Sequence, residues 1–269
     1  MQNNHIETLL EFLNTPLDSA TKILERFSSL PNAVTGVGDK TLQRYVYIPG
    51  KIKNGVLLVA HADTIWDKAY NLPFSKEHRV IFEDGVFKST ESECGIGADD
   101  RAGCAMLWEL RNNGYSMLIT DGEEKGKHGA RFLKQHNHKL FREINKHSFL
   151  MELDWKGTDC CLFNQVDNTE KFKRYIEQKL GFSDSKANGG TDLQILCKKV
   201  CGVNIGIGYH KWHSNNEFLV LSEWENTLSK LNEFLKYPQP RFRTLFCPRH
   251  IRFVKRCINK ALRILKIKK

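Results

Sequence analysis

The chain reads as an α/β protein: a mixed, mostly parallel central sheet flanked by helices, followed by a basic helical tail. Three observations predict this. Short apolar runs that suit buried strands alternate with segments of helical periodicity. One run, Val56-Leu57-Leu58-Val59-Ala60, is continuous rather than alternating, as a central parallel strand covered on both faces requires. Segments bearing carboxylates and imidazoles follow several of the apolar runs, and that is where the carboxyl ends of parallel strands present their ligands.

In chain order, residues 6–30 show helical apolar spacing (Ile6, Leu9, Leu10, Phe12, Leu13, then Ile23, Leu24, Phe27), which Pro16 divides into two helices. Thr41 to Ile48 alternates toward a strand and is closed by Pro49-Gly50. The run from Val56 is the next strand, and His61 leaves its end. Arg79 to Lys88, with Asp84-Gly85 in the middle, predicts a hairpin. Ala102 to Arg111 suits a helix, Tyr115 to Thr120 a buried strand, and Ala130 to His136 a helix. Ser148 to Leu153 predicts a strand with Asp154 at its end. Asn168 to Leu180 predicts a helix and Val203 to Gly208 a strand. Leu221 to Lys236 closes the body as a helix with Leu221, Trp224, Leu228, Leu231 and Leu235 on one face.

At 269 residues with five tryptophans the chain can bury a substantial core. No stretch reaches the roughly 18 apolar residues of a membrane span, and no secretory signal is read at the N-terminus. The eight cysteines are scattered without a C-x-x-C pair, which argues against a thiolate zinc site and for reduced thiols in a cytoplasmic setting. Cys197 and Cys201 fit one face of a helical turn, and His128, His136, His138 and His147 are read as surface residues. The net charge of +10 is uneven: Pro238 to Lys269 holds eleven Lys or Arg and no acid, so residues 1–237 carry 30 basic and 31 acidic residues. The expected division is therefore a catalytic body, 1–237, and a basic tail, 238–269. A partner inferred from charge is assigned to the tail alone.

Five segments carry candidate chemistry: His61-Ala62-Asp63-Thr64, Gly97 to Gly103 around Asp99, Asp121-Gly122-Glu123-Glu124, Glu152-Leu153-Asp154, and His213 to Glu217. Taken alone, each has a plainer explanation: a hydrogen-bonded histidine, a helix cap, a solvated acid pair, a turn. Jointly and in this order they supply what a two-metal hydrolase needs. Zinc favours imidazole nitrogen and carboxylate oxygen, and two cations held close together need a carboxylate bridge. His61 and Asp154 could hold one metal, Glu124 and His213 the other, and Asp99 could bridge them. Glu123 could act as general base, then as general acid. Asp63 could orient the His61 imidazole through its second nitrogen.

With H-x-D, then D-x-[KR] with a nearby glycine, then E-E, D and H, the chain from His61 to Glu217 resembles the co-catalytic two-zinc exopeptidases of the aminopeptidase, carboxypeptidase and tripeptidase type, which include amino-acid deacylases. The resemblance implies metal ligands at His61, Asp99, Glu124, Asp154 and His213, Glu123 as base, Asp63 as the orienting acid, and a cis bond between Asp99 and Asp100. Many tripeptidase and deacylase relatives insert a lid or dimerisation domain between the fourth and fifth ligands. Only 58 residues separate Asp154 from His213 here, so the chain looks more like the single-domain aminopeptidases. His210 competes with His213 for the last position, and His213 is preferred because Glu217 follows it by four. Gly189-Gly190-Thr191-Asp192 reads equally as a plain turn and, in the resemblance, as a substrate-side segment, so Thr191 and Asp192 join His210 as candidate substrate contacts.

The expected activity is hydrolysis of a peptide bond at a chain end, with a water activated between two divalent metal ions and Glu123 as base. Zinc is the first expectation, though cobalt and manganese suit the same ligands. An amidase or deacylase acting on N-acyl amino acids is the rival enzyme reading. A scaffold tethered by its tail is the rival of another class, and Glu123 argues against it. The tail places Ile251, Val254, Ile258, Leu262 and Leu265 in one stripe among basic residues. That pattern suits an anionic membrane surface or packing on the body or a second subunit, with nucleic acid ranked below these.

Overall fold

A computed structural model describes residues 2–70, 78–91, 93–163 and 166–245. The stripe expected from Ile251 to Leu265 lies outside them. The N-terminal periodicity resolves into α1 (Gln2–Leu13) and α2 (Thr21–Ser28), broken around Pro16. The central sheet has eight strands. In chain order these are β1 (Val34–Val37), β2 (Arg44–Ile48), β3 (Leu57–His61), β6 (Ser116–Thr120), β7 (Leu150–Trp155), β8 (Cys160–Leu162), β9 (Ser183–Asp184) and β10 (Gly202–Gly206). Across the sheet they run β1-β2-β6-β3-β7-β10-β8-β9. The middle four, β6, β3, β7 and β10, pair in parallel, and antiparallel β2 and β8 flank them. Every residue of β3 and β6 is buried, which is why the Val56 run is apolar without alternation.

A second, four-stranded antiparallel sheet combines the expected hairpin, β4 (Val80–Glu83) and β5 (Val86–Ser89), with β11 (Tyr209–His210) and β12 (Phe218–Val220). It ties the segment that follows β10 to the hairpin, and so fixes the loop carrying His213 between β11 and β12. Helices α3 (Ala98–Leu110), α4 (His128–His136), α5 (His138–Ile144), α6 (Glu170–Leu180), α7 (Leu193–Leu196) and α8 (Leu221–Leu235) flank the central sheet. Helix α3 packs on β3 and β7, and the Trp224 indole of α8 donates to the Ala102 carbonyl at 3.0 Å. No helix among the described residues is long and apolar enough to cross a membrane.

Several expectations shift. Asp154 lies inside β7 rather than beyond it. Helix α3 begins before Ala102, but Asp99 and Asp100 within it are non-helical, and the bond between them is cis. Cys197 ends α7 and Cys201 lies past it, so the pair does not share a helical face. His147 is buried, not superficial: its ring sits under the end of α5, with Nδ1 3.1 Å from the Ile144 carbonyl. The chain beyond Tyr237 also stays on the body as far as Leu245. Phe242 is 6% exposed, its amide donates to the Ser148 carbonyl at 2.9 Å, and its own carbonyl accepts from Cys201 at 3.4 Å.

Candidate active site

The sheet order explains the assembly. Strands β6, β3, β7 and β10 point the same way, so the residues at their carboxyl ends meet along one edge. His61 ends β3, level with Thr120 of β6. Glu123 and Glu124 follow β6, Asp154 is the next-to-last residue of β7, and His213 lies in the loop fed by β10 through β11. Asp99 enters from the start of α3.

These residues converge. His61 Nε2 is 3.2 Å from Asp99 Oδ1 and 3.4 Å from Asp154 Oδ1. His213 Nε2 is 3.2 Å from the other oxygen of Asp99, Oδ2, and 2.9 Å from Glu124 Oε2. Two imidazoles thus approach one carboxylate from its two oxygens, and each has a second acid beside it. His61 is 1% exposed and His213 44%, so the His213 side faces solvent. The backbone at His213 is left-handed, φ +58°, an arrangement a non-glycine residue adopts only where the surroundings hold it.

The electrostatics are those of a site short of positive charge. Burial, then the nearby Asp99, pushes Glu124 up to about 8. Burial and Asp99 push Asp154 to about 8 as well. Burial would raise Asp99 too, but hydrogen bonds from His213 and His61 hold it below the usual carboxylate range. Burial works against a charged His213, yet Asp99 and Glu124 raise it to about 10. Glu124 Oε1 is buried without a hydrogen-bond partner, a cost that cations would remove. Ligand atoms of His61, Asp99 and Glu124 lie within 4.8 Å of one another, as do those of His61, Asp100 and Asp154. Asp100 meets the distance, but both its oxygens are occupied: Oδ2 accepts from the His61 amide and Oδ1 from the Gly103 amide, each at 3.0 Å. It ties the end of β3 to the first turn of α3 instead. The nitrogen and oxygen donor set, the excess of buried acid and the free Glu124 oxygen fit a pair of divalent cations.

Neighbouring groups set the orientation of these residues. Asp63 Oδ1 is 3.3 Å from His61 Nδ1, and its two oxygens accept from the amides of Glu123 and Glu124 at 3.1 and 3.3 Å. Asp63 thus bears on the His61 ring through its carboxylate and, at 3.1 Å, through its backbone carbonyl, and it fixes the acid pair. Gly122 before that pair has φ +71°, and a Cβ there would press on Leu42 at 2.7 Å. Glu217 accepts from the Gly97 amide at 2.7 Å and the Asp99 amide at 3.1 Å. Asn204 brackets Asp154, accepting from its amide and donating to its carbonyl, both at 3.0 Å.

Glu123 is buried beside the ligand candidates, and Lys127 Nζ reaches its Oε1 at 3.0 Å. Burial raises the Glu123 pKa, while His61 and Lys127 oppose that rise. A cavity of about 150 Å³ opens over the group. Its walls include Gly189, Gly190, Thr191, Trp155, Lys156 and Trp212. Thr191 is thus part of the cavity wall. Asp192 does not line the cavity: it is buried behind it and accepts from the Thr120 hydroxyl. His210 also turns away, pairing with Glu223 at 2.7 Å and stacking on Phe218.

No family model and no curated protein matches the sequence. Solved structures match the fold. Aminopeptidase PepT from Bacillus cereus ATCC 10987 superposes with a TM-score of 0.65 at 13% identity, covering 88% of this chain and 98% of that one. The fold is that of known aminopeptidases and tripeptidases. A tripeptidase from Staphylococcus aureus subsp. aureus Mu50 gives 0.64 at 14% identity, covering 88% and 98%. The TET1 peptidase of Pyrococcus horikoshii, which can assemble into a tetrahedron or a large octahedral shell, gives 0.60 at 15%, covering 87% and 99%. At such identities the likeness is one of fold, and function has to be argued from the site.

Proposed function

We propose that the chain is a metal-dependent exopeptidase of aminopeptidase type, acting at the His61–Asp99–His213 cluster. The observation that carries this reading is the approach of two imidazoles to opposite oxygens of Asp99, with Glu123 buried beside them. His61 and Asp154 would hold one divalent cation, Glu124 and His213 the other, and Asp99 would be shared. Bound there, such cations supply Lewis acidity and a field that lowers the pKa of water toward about 7. Glu123 takes the proton of the attacking water at a carboxylate oxygen and returns it to the departing amine. Its burial keeps that proton within the site, and Lys127 limits its motion. Asp63 holds the His61 ring and the Glu123–Glu124 backbone in register. The fold neighbours support the peptidase class, and the buried acids around the unpartnered Glu124 oxygen support the metals.

Glu123→Gln separates base from ligand. Metal analysis after zinc loading at neutral pH is expected to find about two cations per chain in wild type and in this variant. Turnover of aminoacyl amides should fall in the variant by about 10²–10⁴-fold. Glu124→Gln should lose metal as well as turnover. A zinc-loaded wild type with no bound metal overturns the reading, as does a Glu123→Gln protein with normal rates. Faster cleavage of N-acyl amino acids than of aminoacyl amides would convert it to a deacylase.

A further inference from the structure

Of two lysines near the site, Lys156 lines the cavity and Lys127 lies behind Glu123, and they differ in how their charge is met. Lys127 pairs with Glu123. Lys156 pairs with no carboxylate among the described residues; its ammonium instead sits 3.3 Å from the centroid of the Trp212 ring and 5.6 Å from that of Trp155. A ring face attracts a cation without neutralising it. The cavity wall thus holds one ammonium, set against two indoles, whose charge has no counter-ion among the described residues.

From this we infer that Lys156, walled by Trp212 and Trp155, is a subsite for a carboxylate group of the substrate. The inference rests on the exopeptidase reading above. Distance favours it. Lys156 lies two residues past Asp154, so their Cα atoms are at most about 7 Å apart. In a short peptide cleaved at its first bond, the terminal carboxylate lies one or two residues beyond the reacting carbonyl, within reach of the lysine side chain. A cavity of about 150 Å³ is smaller than the roughly 300–1,000 Å³ of sites for drug-sized ligands, which suits a short substrate. The carboxylate has two possible sources: the free C-terminus of a di- or tripeptide, or an acidic side chain.

Lys156 also joins the loop after Asp154 to the loop holding His213 by way of Trp212, so a purely structural clasp has to be distinguished. The experiment compares four probes on metal-loaded protein: Leu-Gly, Leu-Gly-amide, Leu-Glu-amide and Glu-Gly-amide. Wild type should favour carboxylate-bearing probes over Leu-Gly-amide by about tenfold in kcat/KM, the scale of one charge-assisted hydrogen bond at a half-buried cation. The effect should lie in KM and weaken with added salt. In Lys156→Met, which keeps length and apolar contact, the preference should vanish; in Lys156→Arg it should largely return. The preferred probe identifies which carboxylate is bound. A clasp without a binding role would lower metal content and all rates in parallel, and that result overturns the subsite. A wild type that cleaves all four equally overturns it too, leaving the exopeptidase reading intact. Cleavage of none overturns both.

Discussion

Asp63, Asn204 and Glu217 show how much of the site is built by residues that need not touch substrate. Each uses its side chain to satisfy backbone groups of a segment that carries a metal-ligand candidate. For Glu217 the geometry demands a carboxylate. Two amide N–H groups, from Gly97 and Asp99, point at its two oxygens. A glutamine would turn an NH₂ toward one of them and leave that buried amide unpaired. Glu217→Gln is therefore expected to fold, to let Asp99 drift, and to weaken metal binding by about 10–100-fold, as loss of a ligand-orienting partner typically does. Competition with a chelator measures this, and unchanged affinity would show that the Asp99 loop holds itself. The converging residues were legible in the sequence because each is of a type the chemistry requires and the five occur in order. Asn204 and Lys156 were not. Asn204 matters because β10 lies beside β7 with Asn204 level with Glu152, and Lys156 because two loops meet at Trp212. Neither register nor loop contact is written in local composition. A polar residue inside the apolar run Val203-Asn204-Ile205 was the one available signal, since a buried amide needs a partner.

Among the elements, the long periodic helices and the buried central strands were readable, and the short edge strands were not. Strand β1 alternates nothing useful: three of its four residues are exposed. Strands β8, β11 and β12 span two or three residues each and exist only through their neighbours. The regular part of α3 begins only after Asp99 and Asp100, which leave helical geometry, so the start read near Ala102 matches it and the turn from Ala98 is what local composition hides. Helix α5 was missed as well, though its Asn137 cap, accepting from the Leu140 amide at 3.0 Å, is a recognisable start signal. Its end supplies a test in pH. Burial lowers the His147 pKa; carbonyl hydrogen bonds from Ile144 and Glu143 and the charge of Glu143 oppose this, and Arg241 adds to it. The folded state thus holds fewer protons at His147 than the unfolded chain, whose imidazole titrates near about 6.5. The stability this confers is complete above that value and is lost as pH falls through the lower, folded pKa. Urea unfolding at pH 7.5 and pH 5 should show wild type losing more stability on acidification than His147→Asn, an amide that keeps a donor but does not titrate there. Equal losses would place the acid sensitivity elsewhere.

At the scale of the whole molecule, the distribution of charge and the path of the last described residues pull the domain boundary in different directions. Charge suggests a break at Tyr237, since everything basic in excess lies beyond it. Packing puts the edge of the body later. The Phe242 ring lies 5.1 Å from that of Phe172 and 5.0 Å from that of Tyr175, closing the aromatic cluster around Phe149. Arg243 donates to the carbonyls of Asn145 and His147 at 3.0 and 3.3 Å, covering groups that the end of α5 leaves open. A chain cut after Tyr237 loses both. Removing a buried phenylalanine side chain alone costs about 3–5 kcal/mol, a large share of the roughly 5–15 kcal/mol that holds a domain folded. A chain cut after Leu245 keeps these contacts while losing nine of the eleven tail cations. Residues 1–245 are therefore expected to melt with the full chain, bind the same metal and turn over small substrates at the same rate. Residues 1–237 should melt well below both or aggregate. The surface attachment expected of the basic tail is then tested on 1–245, where loss of salt-sensitive binding to anionic vesicles reports charge rather than unfolding. Should 1–237 melt with the full chain, the strap from Pro238 to Leu245 contributes nothing to the body, and the boundary suggested by charge stands.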